Sequence, residues 1–203
     1  MYPPNHHINH DIEKSFLCIE TFSFATLISS VNSTPFVSQL PLVLERNKGK
    51  YGTLIGHIDS SNPQKEVLED KNILAIFNGP NSYISPTVYS TSQLPTWNYI
   101  SVHVEGFVRT SSRTRDIKRT LIRMTEYFES SENPENPFVL ERENQRMNDL
   151  HRYILSFEIE ITKLTNRFKL SQDKCIEDQM RALEALKSRS YKIDGLFTLT
   201  DND

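Results

Sequence analysis

The stretch Phe77–Gly106 reads FNGPNSYISPTVYSTSQLPTWNYISVHVEG. It holds the only Trp of the chain, three tyrosines and three of the ten prolines. Pro86 and Pro95 exclude a continuous helix, because each lacks an amide donor and its ring clashes with the preceding turn. The stretch is too apolar for disorder. Its last part alternates: Ile100, Val102 and Val104 fall on one face of an extended chain, and Ser101, His103 and Glu105 on the other. A long ordered loop in a compact domain usually binds something. Pro95, Thr96, Trp97, Asn98 and Tyr99 set a flat ring, a hydroxyl, an amide and a phenol side by side, which suits a planar ligand with polar edges. Two readings stand at this point. The loop lines a ligand cleft, or Trp97 and the tyrosines close one end of a barrel, since aromatic rings carry large packing energies wherever they lie.

Outward from this stretch, the chain offers six strand candidates rich in β-branched and aromatic residues: Phe24–Val31, Phe36–Arg46, Tyr51–His57, Ile73–Asn78, Trp97–Thr110 and Tyr153–Leu164. In the last, Phe157, Ile159 and Ile161 oppose Glu158, Glu160 and Thr162. Turn signals at Asn32–Pro35 and Asn47–Gly49 join the early ones. Six strands on mostly short turns predict a mainly β (α+β) fold, an antiparallel barrel or sandwich rather than a parallel sheet. Helices are expected at 11–20 (Phe16, Leu17 and Ile19 inward), after the Asn62-Pro63 start signal, at 113–129, at 141–152 and at 174–188. The whole, 1–203, reads as a single domain with a helical C-terminal segment over about 173–190.

The bulk numbers narrow the function. A net charge of −3 argues against a general nucleic-acid binder, though not against a local basic patch. No apolar run approaches the ~20 residues of a membrane span. The N-terminus, MYPPNHHINH, lacks the basic and apolar regions of a signal peptide. Cys18 and Cys175 form no CxxC pair and read as reduced thiols of a cytoplasmic protein.

Three constellations carry chemistry. In Gly56-His57-Ile58-Asp59-Ser60-Ser61-Asn62-Pro63-Gln64 a strand runs into a helix start, where free amides and the positive dipole end can hold a phosphate. Asp59 opposes that use, and an ordinary capped helix explains the same residues. His6, His7 and His10 cluster beside Pro3 and Pro4 in what reads as a tail, so no metal site is assigned. Arg109, Arg113, Arg115, Lys118, Arg119 and Arg123 form a basic stripe that suits phosphates or, more simply, a solvated helix face. No GxSxG, HExxH or GxGxxG occurs, and no catalytic residue is assigned.

The motifs Leu40-Pro41-Leu42, Gly56-His57, Asn62-Pro63-Gln64, Phe77-Asn78-Gly79-Pro80, Tyr83-Ile84-Ser85-Pro86, Pro95-Thr96-Trp97-Asn98-Tyr99, Val102-His103-Val104-Glu105-Gly106 and Lys169-Leu170-Ser171-Gln172 occur in this order. They resemble the PaiB family, described as FMN-binding negative transcriptional regulators, over about residues 1–185. The resemblance implies a six-stranded antiparallel FMN-binding split barrel with peripheral helices, like that of pyridoxamine phosphate oxidases. In that fold two subunits pair and flavin lies between them. It implies that Ser38, Gln39, Leu40 and Pro41 run along the flavin ring. It implies that Gly56, His57, Ser60, Ser61, Asn62 and Gln64 hold the phosphate, that Thr96, Trp97, Asn98 and Tyr99 line the cleft, and that Lys169 is a basic residue near the ligand.

The chain departs from the family in three places. Gln39 stands where the family often has His. Ser60, beside Asp59, stands where it commonly has Lys or Arg. The Tyr89–Pro95 segment is short and lacks a frequent Lys. Each lost charge-assisted contact is worth about 1.5–3 kcal/mol. The resemblance therefore implies a homodimeric, PaiB-like regulator whose FMN, or similar planar ligand, is weakly held or absent as isolated. DNA binding enters by family analogy alone, and no membrane partner is expected. The alternatives are a flavin-dependent oxidoreductase or haem-handling enzyme of the same fold, and a barrel that has lost its cofactor and acts as a binding module.

Overall fold

The computed structural model describes residues 4–31 and 34–189. Its strands are β1 (Phe24–Val31), β2 (Thr34–Pro41), β3 (Val43–Glu45), β4 (Thr53–Asp59), β5 (Asn72–Ile84), β6 (Thr96–Ser111) and β7 (Ile154–Lys169). They form one seven-stranded sheet in the order β2-β1-β5-β6-β7-β4-β3, with every pairing antiparallel.

The sheet's two edge strands are neighbours in the chain. β2 pairs only with β1, β3 pairs only with β4, and Leu42 alone separates them. Pro41 has no amide hydrogen to continue the ladder. The Leu42 amide instead donates to the Ser23 carbonyl at 2.9 Å, and its side chain turns fully into the core. The sheet therefore rolls up, with β2 and β3 as one bent side of a barrel. The single strand expected over Phe36–Arg46 is this pair, which makes seven strands of the six expected.

Inside lies one large apolar cluster. Leu27, Leu42, Leu54, Phe77, Val102, Val104, Phe157 and Ile159 are all within it and buried. The alternation at Phe157, Ile159 and Ile161 is inward, as the pattern requires. Beyond it the phase shifts. Glu105 pairs with Lys163 but Gly106 pairs with Ile161, so Thr162 is an extra residue in β7. After this bulge Asn166 is the buried position, and β7 runs to Lys169, beyond the expected Leu164.

Helices α1 (Ile12–Thr21), α2 (Thr114–Glu132), α3 (Gln145–Leu150) and α4 (Ile176–Arg189) lie outside the barrel. Asp11 caps α1 through the Glu13 amide, and Phe16 and Ile19 point inward. Leu17 does not: it is 60% exposed, because i and i+1 cannot share a narrow buried stripe with i+3. The Asn62-Pro63 signal starts only a short 3-10 helix, Pro63–Val67. The basic stripe is an ion-paired face. Arg113, Arg115 and Arg119 surround the buried Asp116, and Arg123 meets Glu45 at 2.5 Å. Among the described residues no helix is long and apolar enough to cross a membrane.

Candidate functional site

The turn after β4 is bound up with itself. Asp59 Oδ1 accepts from the Ser61 amide at 2.7 Å and from its hydroxyl at 2.6 Å. Those hydrogen bonds hold the Asp59 carboxyl below the usual range. Asn62 Oδ1 accepts from the Gln64 amide, while Asn62 Nδ2 donates to Ser38 Oγ at 2.9 Å. Gln64 is 1% exposed, and its Nε2 donates to Leu27 O, Ser29 Oγ and Phe36 O, stitching the turn to β1 and β2. Lys65 Nζ donates to the Ser60 carbonyl. His57 is half-buried, with its pKa lowered by burial and its Nδ1 without a partner among the described residues. Gly56 faces the core, where a Cβ would meet Leu42 and Phe157. Ser38 thus joins the turn, and Leu40 is buried within the core cluster.

Gln39 lies elsewhere, on the barrel's outer face. The register sets a row across four pairings, Gln39–Thr26–Ile76–His103–Thr165, and a second one, Val37–Ile28–Leu74–Glu105. Val37 is exposed and Ile28, Leu74 and Ile76 are half-buried, so this is an apolar sheet face with a polar row through it. Pro41 continues it at the core end of β2. Trp97 and Tyr99 lie on the same face farther along β6. Trp97 is 51% exposed, pairs with Tyr83 across the ladder and donates from Nε1 to Asn81 Oδ1 at 3.3 Å. It does not plug the barrel.

Thr96, Asn98 and Lys169 line a cavity of about 330 Å³ with His7, Tyr89 and Ser171. Asn98 Nδ2 donates to Ser171 Oγ at 2.9 Å, Tyr89 Oη and Ser171 Oγ are 2.7 Å apart, and Lys169 Nζ donates to Thr96 Oγ1 at 2.5 Å. Burial and the positive Arg167 lower the Lys169 pKa.

The assigned residues therefore fall in three places: the turn with Ser38, the outer face with Gln39, Trp97 and Tyr99, and the cavity with Thr96, Asn98 and Lys169. Asp59 pairs with Ile154 at one end of β7, and Tyr99 pairs with Lys169 at the other. That strand has 16 residues, roughly 50 Å of path at about 3.3 Å per residue. Along β7 the turn and Lys169 thus lie at opposite ends.

A larger, apolar groove of about 750 Å³ runs between α1, α4 and the ends of β6 and β7, with Leu17, Ile100, Phe168 and Met180 in its walls. Cys18 lines it, but burial pushes the thiol up to about 11, so it is protonated at neutral pH. His7 does not lie in a tail. It sits in a 3-10 helix (Asn5–His7) held down by Asn166, which exchanges hydrogen bonds with the Asn9 backbone at 2.8 Å in both directions. Among the described residues no cluster of His, Cys, Asp and Glu can hold a metal.

The family model described as "Putative FMN-binding domain" matches residues 1–163. The chain belongs to that family. It is 28% identical over 194 residues to the Bacillus subtilis protein named "Protease synthase and sporulation protein PAI 2", covering 93% of this chain and 90% of that one. The PaiB resemblance and the split-barrel fold both stand. Two solved structures share the fold at 13% identity. The FAD and heme binding protein from Mycobacterium smegmatis matches at a TM-score of 0.62, over 87% of this chain and 80% of that one. A flavocytochrome from Azotobacter vinelandii matches at 0.59, over 80% and 69%.

Against a flavin mononucleotide the donor set divides. Gln39, Trp97 and Tyr99 offer an amide and two rings on an accessible face, which fits a flat ring. In the turn, the Ser61 and Gln64 donors are spent on Asp59, Asn62 and the barrel wall, which fits a phosphate poorly.

Proposed function

We propose that the chain is a PaiB-like FMN-binding barrel that works as a homodimer, with the turn and Gln39 of one copy facing Trp97, Tyr99 and Lys169 of the other. One observation carries this reading: the residues assigned to a single cleft lie at opposite ends of β7, so two antiparallel copies can complete what one cannot. The apolar outer face around Val37, Ile28 and Ile76 is a contiguous surface of the kind a partner covers. A regulatory role, taken from the family's description, is the outer part of the proposal. So are a cytoplasmic location and the reading of the chain as one domain. The ion-paired α2 favours regulation through the ligand or a partner rather than through base readout.

One observation favours a second reading, a binding module without flavin: the spent donors of the Asp59–Gln64 turn.

The test couples assembly to binding. Ile28→Glu places a charge on the outer face while leaving the interior unchanged. FMN titrated into the wild type should develop bound-flavin absorbance at one flavin per chain and quench Trp97. The variant should run as a 23.6 kDa monomer and lose both signals. A folded monomer that holds FMN as tightly as wild type would overturn the shared cleft. A wild-type dimer that takes no FMN at any concentration would leave the binding-module reading.

A further inference from the structure

The cavity at the Lys169 end of the barrel is a built polar pocket. Its walls include His7, Tyr89, Asn98 and Ser171, all more than nine-tenths buried. Such groups are costly to bury without full pairing. Three of them satisfy one another through the Ser171 hydroxyl, and Ser171 holds a positive φ of 63° to present it. His7 is the exception. It is 8% exposed, its Nδ1 is buried, and among the described residues that nitrogen has no hydrogen-bond partner. The Lys169 ammonium has three donors, of which Thr96 Oγ1 takes one.

The charge around the cavity is lopsided. Lys169, Lys174 and His6 line it with His7, and Asp173 is the single carboxylate among the lining residues. Asp173 is itself occupied by Lys174 at 2.6 Å. Burial lowers the pKa of His7, and the neighbouring His6, Arg167 and Lys169 lower it further, against Asp173. Burial and Arg167 do the same to Lys169. The cavity thus sets an ammonium with unspent donors beside a buried imidazole nitrogen that has no partner among the described residues, a set that suits an anion.

We propose that this pocket binds the oxyanion end group, carboxylate or phosphate, of a small molecule, with Lys169 as the charged anchor and His7 as the second donor. Its volume of about 330 Å³ is at the small end of ligand sites. The proposal takes from the preceding reading only that Thr96, Asn98 and Lys169 belong to one cleft, and it holds whether or not flavin is bound. The oxyanion has two sources, a separate small acid or the phosphate of the flavin itself, which the turn after β4 is poorly furnished to hold.

The full chain is titrated with sodium phosphate and with sodium acetate at constant ionic strength, followed by calorimetry and by the His7 imidazole nitrogen resonances. Phosphate or acetate should bind, and the His7 pKa should rise when the site is filled. Lys169→Met keeps the aliphatic stem and should weaken binding at least tenfold, the scale of one charge-assisted contact. His7→Gln, which keeps a donor, should weaken it less. If Lys169→Met does not fold, the His7 resonances of the wild type still decide. Absence of any His7 shift at tens of millimolar of either anion overturns the site, as does equal affinity in wild type and both variants. FMN and riboflavin then separate the sources. Phosphate that competes with FMN but not with riboflavin assigns the pocket to the flavin phosphate. Phosphate that competes with neither assigns it to a separate acid. Failure of both flavins to bind, with phosphate still bound, rejects the flavin reading and leaves the pocket intact.

Discussion

A methyl group added at Gly56 would lie 2.6 Å from Leu42 Cδ2 and 2.9 Å from Phe157 Cζ. Trp97, in contrast, leaves half of its surface to solvent. The family resemblance puts both residues in one ligand site, and their physical environments divide them. Gly56→Ala should destabilise the barrel by about 1–3 kcal/mol through overpacking, and FMN should bind the folded remainder normally. Trp97→Ala should cost well under the ~3–5 kcal/mol of a buried aromatic, yet weaken FMN binding by tenfold or more. Thermal melts of each variant with and without FMN check both. A Trp97→Ala loss as large as that of Gly56→Ala would make the indole structural. The residue types of the candidate site were legible in the chain, since Trp97 and Tyr99 announce themselves by size and neighbours. Their facing was legible too once β6 alternated. What one chain could not disclose was that Gln64 spends its amide on Leu27, Ser29 and Phe36, because those partners come from β1 and β2, more than twenty residues away.

Element boundaries depend on the same division between local and distant causes. The alternation of β6 and of the first half of β7 is local, and both strands form where the pattern places them. The alternation of β7 stops at Thr162, and a sequence reading ends the strand soon after. In the folded chain the strand continues because the extra residue moves Asn166, rather than Thr165, to the inside. Gly106 permits this crossing, since a Cβ there would sit 2.5 Å from Ile159 Cγ2 and 2.7 Å from the Glu160 carbonyl oxygen. Deleting Thr162 should therefore undo the second half of β7. Asn166 would leave Asn9 and Ser15, the N-terminal segment would lose its anchor, and His7 its seat. Thr162→Ala keeps the count and forfeits only the hydroxyl bond to Glu105 O, about 1 kcal/mol. Near-ultraviolet circular dichroism and melting should show a lost or molten fold for the deletion and a near-native one for the alanine variant. A deletion that melts like wild type would mean the bulge carries no register.

At the scale of the whole molecule, the barrel is closed by chain connectivity at Leu42, and the candidate site residues are divided between the two ends and one outer face. Composition and strand count made a barrel legible, but closure was not, because it depends on β2 and β3 choosing different partners. Closure also puts histidines from three regions into poorly hydrated places: His7 at the cavity, His57 on β4 and His103 on β6. Burial is the first cause of the lowered pKa in all three. For His103 the Glu105 carboxylate opposes the shift, and for His7 Asp173 does. The sign of the linkage follows. In the unfolded chain each imidazole takes its proton near the ordinary value of 6.5, whereas in the folded chain it takes it lower. Above that value both states are neutral and stability is full. As pH falls through 6.5 the unfolded state gains protons that the native state refuses, and stability declines by up to about 1.4 kcal/mol per pH unit for each such histidine. Melting temperatures should thus be level from pH 8 to 7 and fall between pH 6.5 and 5, above the range where carboxylates titrate. His57→Gln, the most local of the three changes, should flatten part of that slope. In phosphate, which raises the folded-state pKa of His7, the slope should flatten further. A melting temperature that holds or rises as pH falls from 7 to 5 would show that these rings are protonated in the native barrel and that water reaches them.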